Sequence, residues 1–202
     1  CINVIFMNPI LIAYYSVHGS TAHLAQAIAK GVESMGIEAK LRQIPRVSDN
    51  LDVQAEEIPQ SRPPYVSLDD LAECSGFALG SPTRFGNMAA PVKYFLDQTS
   101  KQWLSGTLIN KPACVFCSSS SMHGGQESTL LSMQVPLMHH GMVICGIPYS
   151  EPALHTTISG GTPYGATHVA TDHNTQLSED ETELAIAQGK RLATLAKALK
   201  EV

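Results

Sequence analysis

Three short stretches of the sequence concentrate groups that bind anions and flat polar rings. They are Ser16-Val17-His18-Gly19-Ser20-Thr21, Ser81-Pro82-Thr83-Arg84-Phe85-Gly86-Asn87, and Ser118-Ser119-Ser120-Ser121-Met122-His123-Gly124-Gly125. All three are small, hydroxylic and rich in backbone N–H. The first precedes a helical period, so free amides and the positive end of a helix dipole converge there with the hydroxyls of Ser16, Ser20 and Thr21. A phosphate is the natural tenant. The stretch has no Lys and no Gly-Lys-Ser/Thr triplet, which excludes a nucleotide-triphosphatase loop, and no G-x-G-x-x-G follows any strand, which excludes a dinucleotide fingerprint. A monophosphate held by neutral donors fits better. A Ser/Gly/Thr turn also serves simply to cap a helix; what favours a ligand is that three such turns fall at one sheet edge. The second and third can wrap a flat aromatic ring system, with Arg84 as the only nearby positive charge.

The elements that must position these stretches follow from hydrophobic periodicity. Ile10 to Tyr15 is a continuous apolar run of the kind found in a strand buried on both faces. From Ala22 to Met35 the period becomes helical, with Ser20 or Thr21 as cap and Gly36 as stop. Ile37 to Ile44 alternates and predicts a more exposed strand, a parallel partner for the first. Residues 45 to 66 carry four prolines and no period, and predict a long loop. Leu68 to Glu73 predicts a short helix, Phe77 to Gly80 a strand stopped by Ser81-Pro82, Met88 to Gln98 a helix, and Ala113 to Cys117 a strand. Glu127 to His140 predicts a helix interrupted or bent near Pro136, Met142 to Ile147 a last strand, and Asp180 to Leu199 the closing helix. Between these last two, residues 148 to 177 form a Gly-, Pro- and Thr-rich loop too long to be a mere connector. Strands and helices alternate about five times without a repeat or linker. That is the pattern of an α/β doubly wound five-stranded parallel sheet with helices on both faces, one domain over 1–202. Ligands of such sheets sit beyond the carboxyl ends of the strands.

Composition bounds the function classes. A chain of 202 residues buries about 70% of its unfolded surface as a single domain. Charged residues reach only 15% where about 25% is usual, which hints that part of the surface is covered by another subunit. With 13 Lys and Arg against 18 Asp and Glu, the net charge of -5 offers no footprint for nucleic acid or an anionic membrane. The apolar run at Ile10 is too short to cross a bilayer and no basic n-region precedes it, so a cytoplasmic protein is expected. Residues 1–8, and Cys1 to Phe6 in particular, are expected to be an extension before a natural start at Met7. The five cysteines, Cys1, Cys74, Cys114, Cys117 and Cys145, are odd in number and expected to be reduced.

Several residues have bland readings. Trp103 is the only tryptophan, and by itself more often a packing residue than a substrate platform. His139 and His140 can cap the end of their helix with Gly141 completing the turn. Cys114 and Cys117 form a C-x-x-C string, but a strand places positions three apart on opposite faces, so both are assigned to the core rather than to a dithiol centre. His168, Asp172 and His173 lack partners at metal spacing, and no metal is assigned. Asp180 to Glu183 reads as compensation of a helix dipole.

Longer strings carry a resemblance. Ser16-x-x-Gly19-x-Thr21 resembles the phosphate loop of flavodoxin-like proteins, with His18 where flavodoxins usually carry Thr. Gly80-Ser81-Pro82-Thr83-Arg84-Phe85-Gly86-Asn87-Met88, Phe95-Leu96-Asp97-Gln98-Thr99, Gly124-Gly125-Gln126-Glu127, His139-His140-Gly141-Met142 and Gly160-Gly161-Thr162-Pro163-Tyr164-Gly165-Ala166 resemble the WrbA family. These are the Trp-repressor-binding proteins that act as FMN-dependent NAD(P)H:quinone oxidoreductases. The likeness runs from about Pro9 to Leu199. It implies a flavodoxin-like fold in which Ser16 to Thr21 take the FMN phosphate. It further implies that Pro82, Thr83, Arg84 and Phe85 border the isoalloxazine together with Ser118 to Gly124. His139 would sit by the flavin, with His18 and Trp103 lining the space where nicotinamide and quinone alternate. Hydride transfer from NADH or NADPH and quinone reduction would then follow ping-pong order, without a nucleophilic side chain, although His139 could help protonate the quinone. The resemblance also implies a homotetramer, with Thr162 to Gly165 near a subunit boundary and 148–177 a family-type insertion. The alternative is a flavodoxin-type one-electron carrier serving a redox protein; a regulatory interaction protein has no motif here to support it.

Overall fold

A computed structural model describes residues 7–48 and 62–200. The expected extension therefore lies outside the described residues apart from Met7 and Asn8, as does most of the proline-rich loop. The chain runs β1 (Ile10–Tyr14), α1 (Ser20–Ser34), β2 (Ala39–Gln43), α2 (Leu68–Glu73), β3 (Gly76–Arg84), β4 (Asn87–Met88), α3 (Ala90–Asp97), α4 (Ser100–Leu104), β5 (Pro112–Ser119), α5 (Gln126–His139), β6 (Val143–Ile144), α6 (Ala153–Thr156), β7 (Ala166–Val169) and α7 (Glu179–Leu199). The sheet order is β2-β1-β3-β5, with β6 and β7 both pairing parallel to β5. With β6 and β7 counted as one position, that is the 2-1-3-4-5 order of a flavodoxin-like doubly wound sheet.

Burial explains why the central strands read so clearly. Every residue of β1 and β5 is buried, because helices cover both faces. One face packs Ile10, Ile12 and Phe116 beneath α1 and α7; the other packs Leu11, Phe77, Leu79 and Val115 beneath α2, α3 and α5. Cys114 falls in the first core and Cys117 in the second, the separation that strand alternation requires. Helices α1 and α7 approach at two glycines: a Cβ on Gly31 would stand 2.1 Å from Ile186 O, and one on Gly189 would stand 2.1 Å from Ile28 O.

Four expectations need correction. Strand β3 does not stop at Ser81-Pro82 but continues to Arg84. Gly80 O accepts from Tyr15 N, so Pro82, two residues on, turns its missing N–H toward the side that β1 has already left. The stretch expected to open a helix at Met88 instead forms the hairpin β3–β4, and α3 starts at Ala90. Ser81 Oγ accepts from Ala89 N at 2.8 Å and donates to Pro82 O at 2.8 Å, locking the base of that hairpin. Helix α5 is not interrupted at Pro136 but runs through it, so the expected break there is corrected. The last strand is a two-residue β6, and its continuation β7 lies inside the segment expected to be loop. The insertion thus splits the fifth sheet position. The short helix α4 was not anticipated.

Candidate functional site

Helix α1 determines the site. The residue at its N-cap position is Gly19, at φ 105°, and no side chain caps the helix; the expectation that Ser20 or Thr21 would cap is corrected, since both lie inside the helix. An L side chain at Gly19 would be strained, and space above it is open, with nothing within 4 Å of an added Cβ. Gly19 N turns back to Ser16 Oγ at 3.2 Å, and His23 N takes Gly19 O. The amides of Ser20, Thr21 and Ala22 therefore have no partner within the helix. They point outward with the positive dipole end behind them.

Two further elements converge on those amides. Thr21 Oγ1 and Ser118 Oγ meet at 2.9 Å, both buried, tying the first turn of α1 to the end of β5. Across from them, Thr83 Oγ1 receives the Thr129 hydroxyl at 3.2 Å and donates to Cys117 Sγ at 3.8 Å. Burial pushes the Cys117 thiol up to about 12, so its proton stays, and it donates to Gln126 O at 3.4 Å. These elements enclose an open-mouthed cleft. Ser16, Val17, His18, Ser20, Thr21, Pro82, Thr83, Arg84, Ser118, Ser119 and Ser120 line it, and among the described residues no Asp or Glu does. That donor set fits a phosphate monoester: uncapped amides, hydroxyls, imidazole and one guanidinium.

Other predicted residues do not line the cleft. Phe85 occupies the hairpin tip with Gly86, at φ 51° and 73°, the two left-handed positions of a tight I′ turn; its ring is fully exposed. Ser121, Met122, His123 and Gly124 form the turn before α5, held by Ser119 Oγ to Ser121 O at 2.8 Å and Gln126 Nε2 to Met122 O at 2.7 Å. Gly125, like Gly19, begins its helix without a side-chain cap.

Within one chain, Trp103 and His139 do not join His18. Helix α5 has 14 residues and so spans about 21 Å, with Gly125 at the cleft end and His139 at the far end. There the Trp103 and His139 rings stack at 5.5 Å, in a second cleft shared with Thr99, Pro136 and His140. Thr99 Oγ1 donates to Leu96 O, so it accepts from His140 Nε2 at 2.8 Å. His140 Nδ1 is then a bare acceptor, buried and without a partner among the described residues. Burial and then the charge of His139 push the His140 pKa down, which keeps the ring neutral. Gly141 completes the helix end, its N–H on Met138 O and Met142 N on Leu137 O.

Sequence reasoning missed part of the cleft. Ala170, His173 and Thr175 line it from the turn that follows β7. The one usable signal was the β-branched run around Thr167–Val169, hidden in Gly- and Thr-rich surroundings. The acidic start of α7 also does more than balance a dipole: Glu181 is buried, accepts from Gly160 N, Val169 N and Ser178 N, and pairs with His168 Nδ1 at 2.7 Å. Among the described residues, no group of three or more His, Cys, Asp or Glu is placed to hold a metal, and no helix is long and apolar enough to cross a membrane.

Comparison with known proteins accords with this geometry. Residues 10–151 match the family model described as NADPH-dependent FMN reductase. An NAD(P)H dehydrogenase (quinone) of Trichlorobacter lovleyi is 43% identical, aligning 96% of this chain with 99% of the relative. A protein of the same name from Geotalea daltonii is 42% identical over 93% of this chain and 96% of its own. Among solved structures, a flavodoxin, WrbA-like protein from Agrobacterium tumefaciens superposes with a TM-score of 0.67 at 22% identity, covering 96% of this chain and 99% of that one. A flavodoxin from the domain Archaea gives 0.62 at 18%, with 94% and 99% covered.

Proposed function

The chain belongs to the NADPH-dependent FMN reductase family, and from that membership we propose that it is an FMN-dependent NAD(P)H:quinone oxidoreductase that reduces quinones to hydroquinones. The observation that carries this reading is the uncapped start of α1: the free amides of its first turn open on a cleft of hydroxyls that, among the described residues, no Asp or Glu lines. The chemistry that FMN supplies when bound is acceptance of hydride from the nicotinamide and delivery of two electrons to the quinone.

The chain's own residues bind, orient and exclude water. Ser16, Val17, His18, Gly19, Ser20 and Thr21 hold the phosphate. Pro82 to Phe85 and Ser118 to Gly124 border the ring, and Thr83, Arg84 and the loop amides stabilise negative charge that grows there on reduction. NAD(P)H and quinone take turns in the space beside His18, a ping-pong order. His139 and Trp103 reach that space from a neighbouring subunit, because His139 lies at the far end of α5, about 21 Å from the cleft end, and Trp103 stacks on it. His139 then holds a proton for the quinone oxygen. On this reading the chain is one flavodoxin-like domain over 1–202, assembled as a homotetramer in the cytoplasm. The boundary falls near Thr162 to Gly165 in the insertion 148–177, and no nucleic acid or membrane takes part.

The test is anaerobic addition of NADH or NADPH to FMN-loaded protein. Rapid bleaching of the visible flavin absorbance, restored in one turnover by a benzoquinone, is expected. FMN retained without bleaching by either nucleotide makes the chain an electron carrier instead.

A further inference from the structure

Ala170, His173 and Thr175 face the first loop across the cleft, on a turn that nothing in the sequence pattern or the resemblance had linked to the cofactor. The turn is held from several sides. Ala170 N donates to Ser119 O at 2.7 Å, next to the Thr21–Ser118 contact. Thr175 O lies 2.6 Å from His23 Nδ1, on the first turn of α1. Asn174 O lies 2.9 Å from His168 Nε2.

His168 links that turn to a buried anchor. A carbonyl only accepts, so Nε2 carries a hydrogen. The other ring nitrogen faces Glu181 Oε2 at 2.7 Å. Three backbone amides already donate to that carboxyl, Gly160 N at 2.8 Å, Val169 N at 3.1 Å and Ser178 N at 2.9 Å, which favours its ionised form. The contact is therefore imidazolium to carboxylate, with both side chains 1% exposed. Through it Glu181 joins the insertion at Gly160, the end of β7, the start of α7 and the turn at Asn174. Such an anchor is costly to desolvate and serves geometry better than stability.

The anchored turn is also strained. Asp172 and His173 take φ of 53° and 61°, left-handed values where glycine would cost nothing. Strain of this kind persists where the surroundings over-determine it, and it clusters at functional sites. Here it presents an exposed imidazole to a cleft built for an anion.

We propose that residues 170–175 are a fourth wall of the cofactor cleft, that His173 donates a hydrogen bond to the cofactor phosphate monoester, and that Glu181, acting through His168, is the positioning residue that sets this wall. The proposal rests on the FMN reading above.

Titration of the full-length apoprotein with FMN and with riboflavin, which lacks the phosphate, tests it by quenching of flavin fluorescence. His173→Ala should weaken FMN about tenfold, the scale of one charge-assisted hydrogen bond, and leave riboflavin unchanged. Wild-type affinity for FMN in His173→Ala overturns the proposal while leaving the FMN reading intact; failure of the wild type to bind FMN overturns both. Glu181→Gln should also weaken FMN, and in the His173→Ala background it should cost nothing further. Additive losses make Glu181 merely structural. If Glu181→Gln does not fold, His168→Gln enters the same cycle with the same expectation.

Discussion

Thr21 Oγ1 and Ser118 Oγ stand 2.9 Å apart inside the protein, one on the first turn of α1 and the other at the end of β5, two of the elements that define the cleft. The contact fixes the start of α1 against the end of β5, so the amides on one side and the serine-rich edge on the other keep one spacing. Thr21→Val keeps the volume and β-branching but leaves the buried Ser118 hydroxyl without that partner. A lost neutral hydrogen bond at a buried pair costs about 1 kcal/mol. FMN affinity, read by fluorescence titration, should fall at least fivefold, with the far-ultraviolet circular dichroism unchanged. Unchanged affinity would remove Thr21 from the phosphate loop.

How much of this was legible in the sequence depends on whether the decisive contacts were local. The runs at Ile10–Tyr14 and Pro112–Ser119 are buried along their whole length, so continuous apolarity was sufficient evidence for them. Helix α2 starts where its capping residues put it, Ser67 and Asp70 bonding reciprocally. The extension of β3 through Pro82 was hidden because it depends on where β1 ends, a fact about the neighbouring strand. Strand β7 has four residues and pairs only with the second half of β5, too short for a period to declare itself. The role of Glu181 lay in partners up to 21 residues away. The phosphate loop, by contrast, was readable because helix start, glycine and hydroxyls are adjacent in the chain.

Gly189 and Gly31 set the distance between α1 and α7. Replacing Gly189 by Ala gains about 1 kcal/mol of helix propensity, yet its methyl would meet Ile28 O at 2.1 Å. Both contact atoms are on helix backbones, so relief requires the helices to separate and to lose packing around Leu192 and Val32. Overpacking of that sort costs about 1–3 kcal/mol, and the net effect should be destabilising. The urea midpoint of Gly189→Ala should drop, and Gly31→Ala should drop it comparably. A raised midpoint in either would mean that the helices stand further apart.

The His168–Glu181 pair predicts a pH window. For His168, burial lowers the pKa, but the bonds to Glu181 and Asn174 outweigh it and the net shift is upward from 6.5. Its contribution is complete below that value and disappears as pH rises through the higher folded value. For Glu181, burial raises the pKa, but His168 and the amides of Ser178, Val169 and Gly160 outweigh it and the net shift is downward from 4.5. That contribution is present above 4.5 and disappears as pH falls through the lower folded value. Stability conferred by the pair should therefore be greatest between about pH 4.5 and 6.5. Urea midpoints measured from pH 4 to 9 should fall toward alkaline pH more steeply in the wild type than in His168→Gln. Parallel curves would sink the ionic assignment.

Trp103 tests how the two clefts relate. Its ring is 46% exposed and stacks on His139 rather than filling a core, so Trp103→Ala should barely disturb folding. If it serves a neighbouring subunit's nicotinamide and quinone space, kcat/KM for the quinone should fall up to tenfold, the scale of one aromatic stacking contact. FMN affinity should stay within twofold. Thr21→Val, in contrast, acts on cofactor retention, so the two defects lie in different halves of a shared site. Subunits carrying one or the other, unfolded together and refolded as a mixture, should regain activity above either parent, since some mixed assemblies contain an intact pair of halves. Additive, unrescued loss would confine Trp103 to its own chain, and normal kinetics of Trp103→Ala would return it to a packing role.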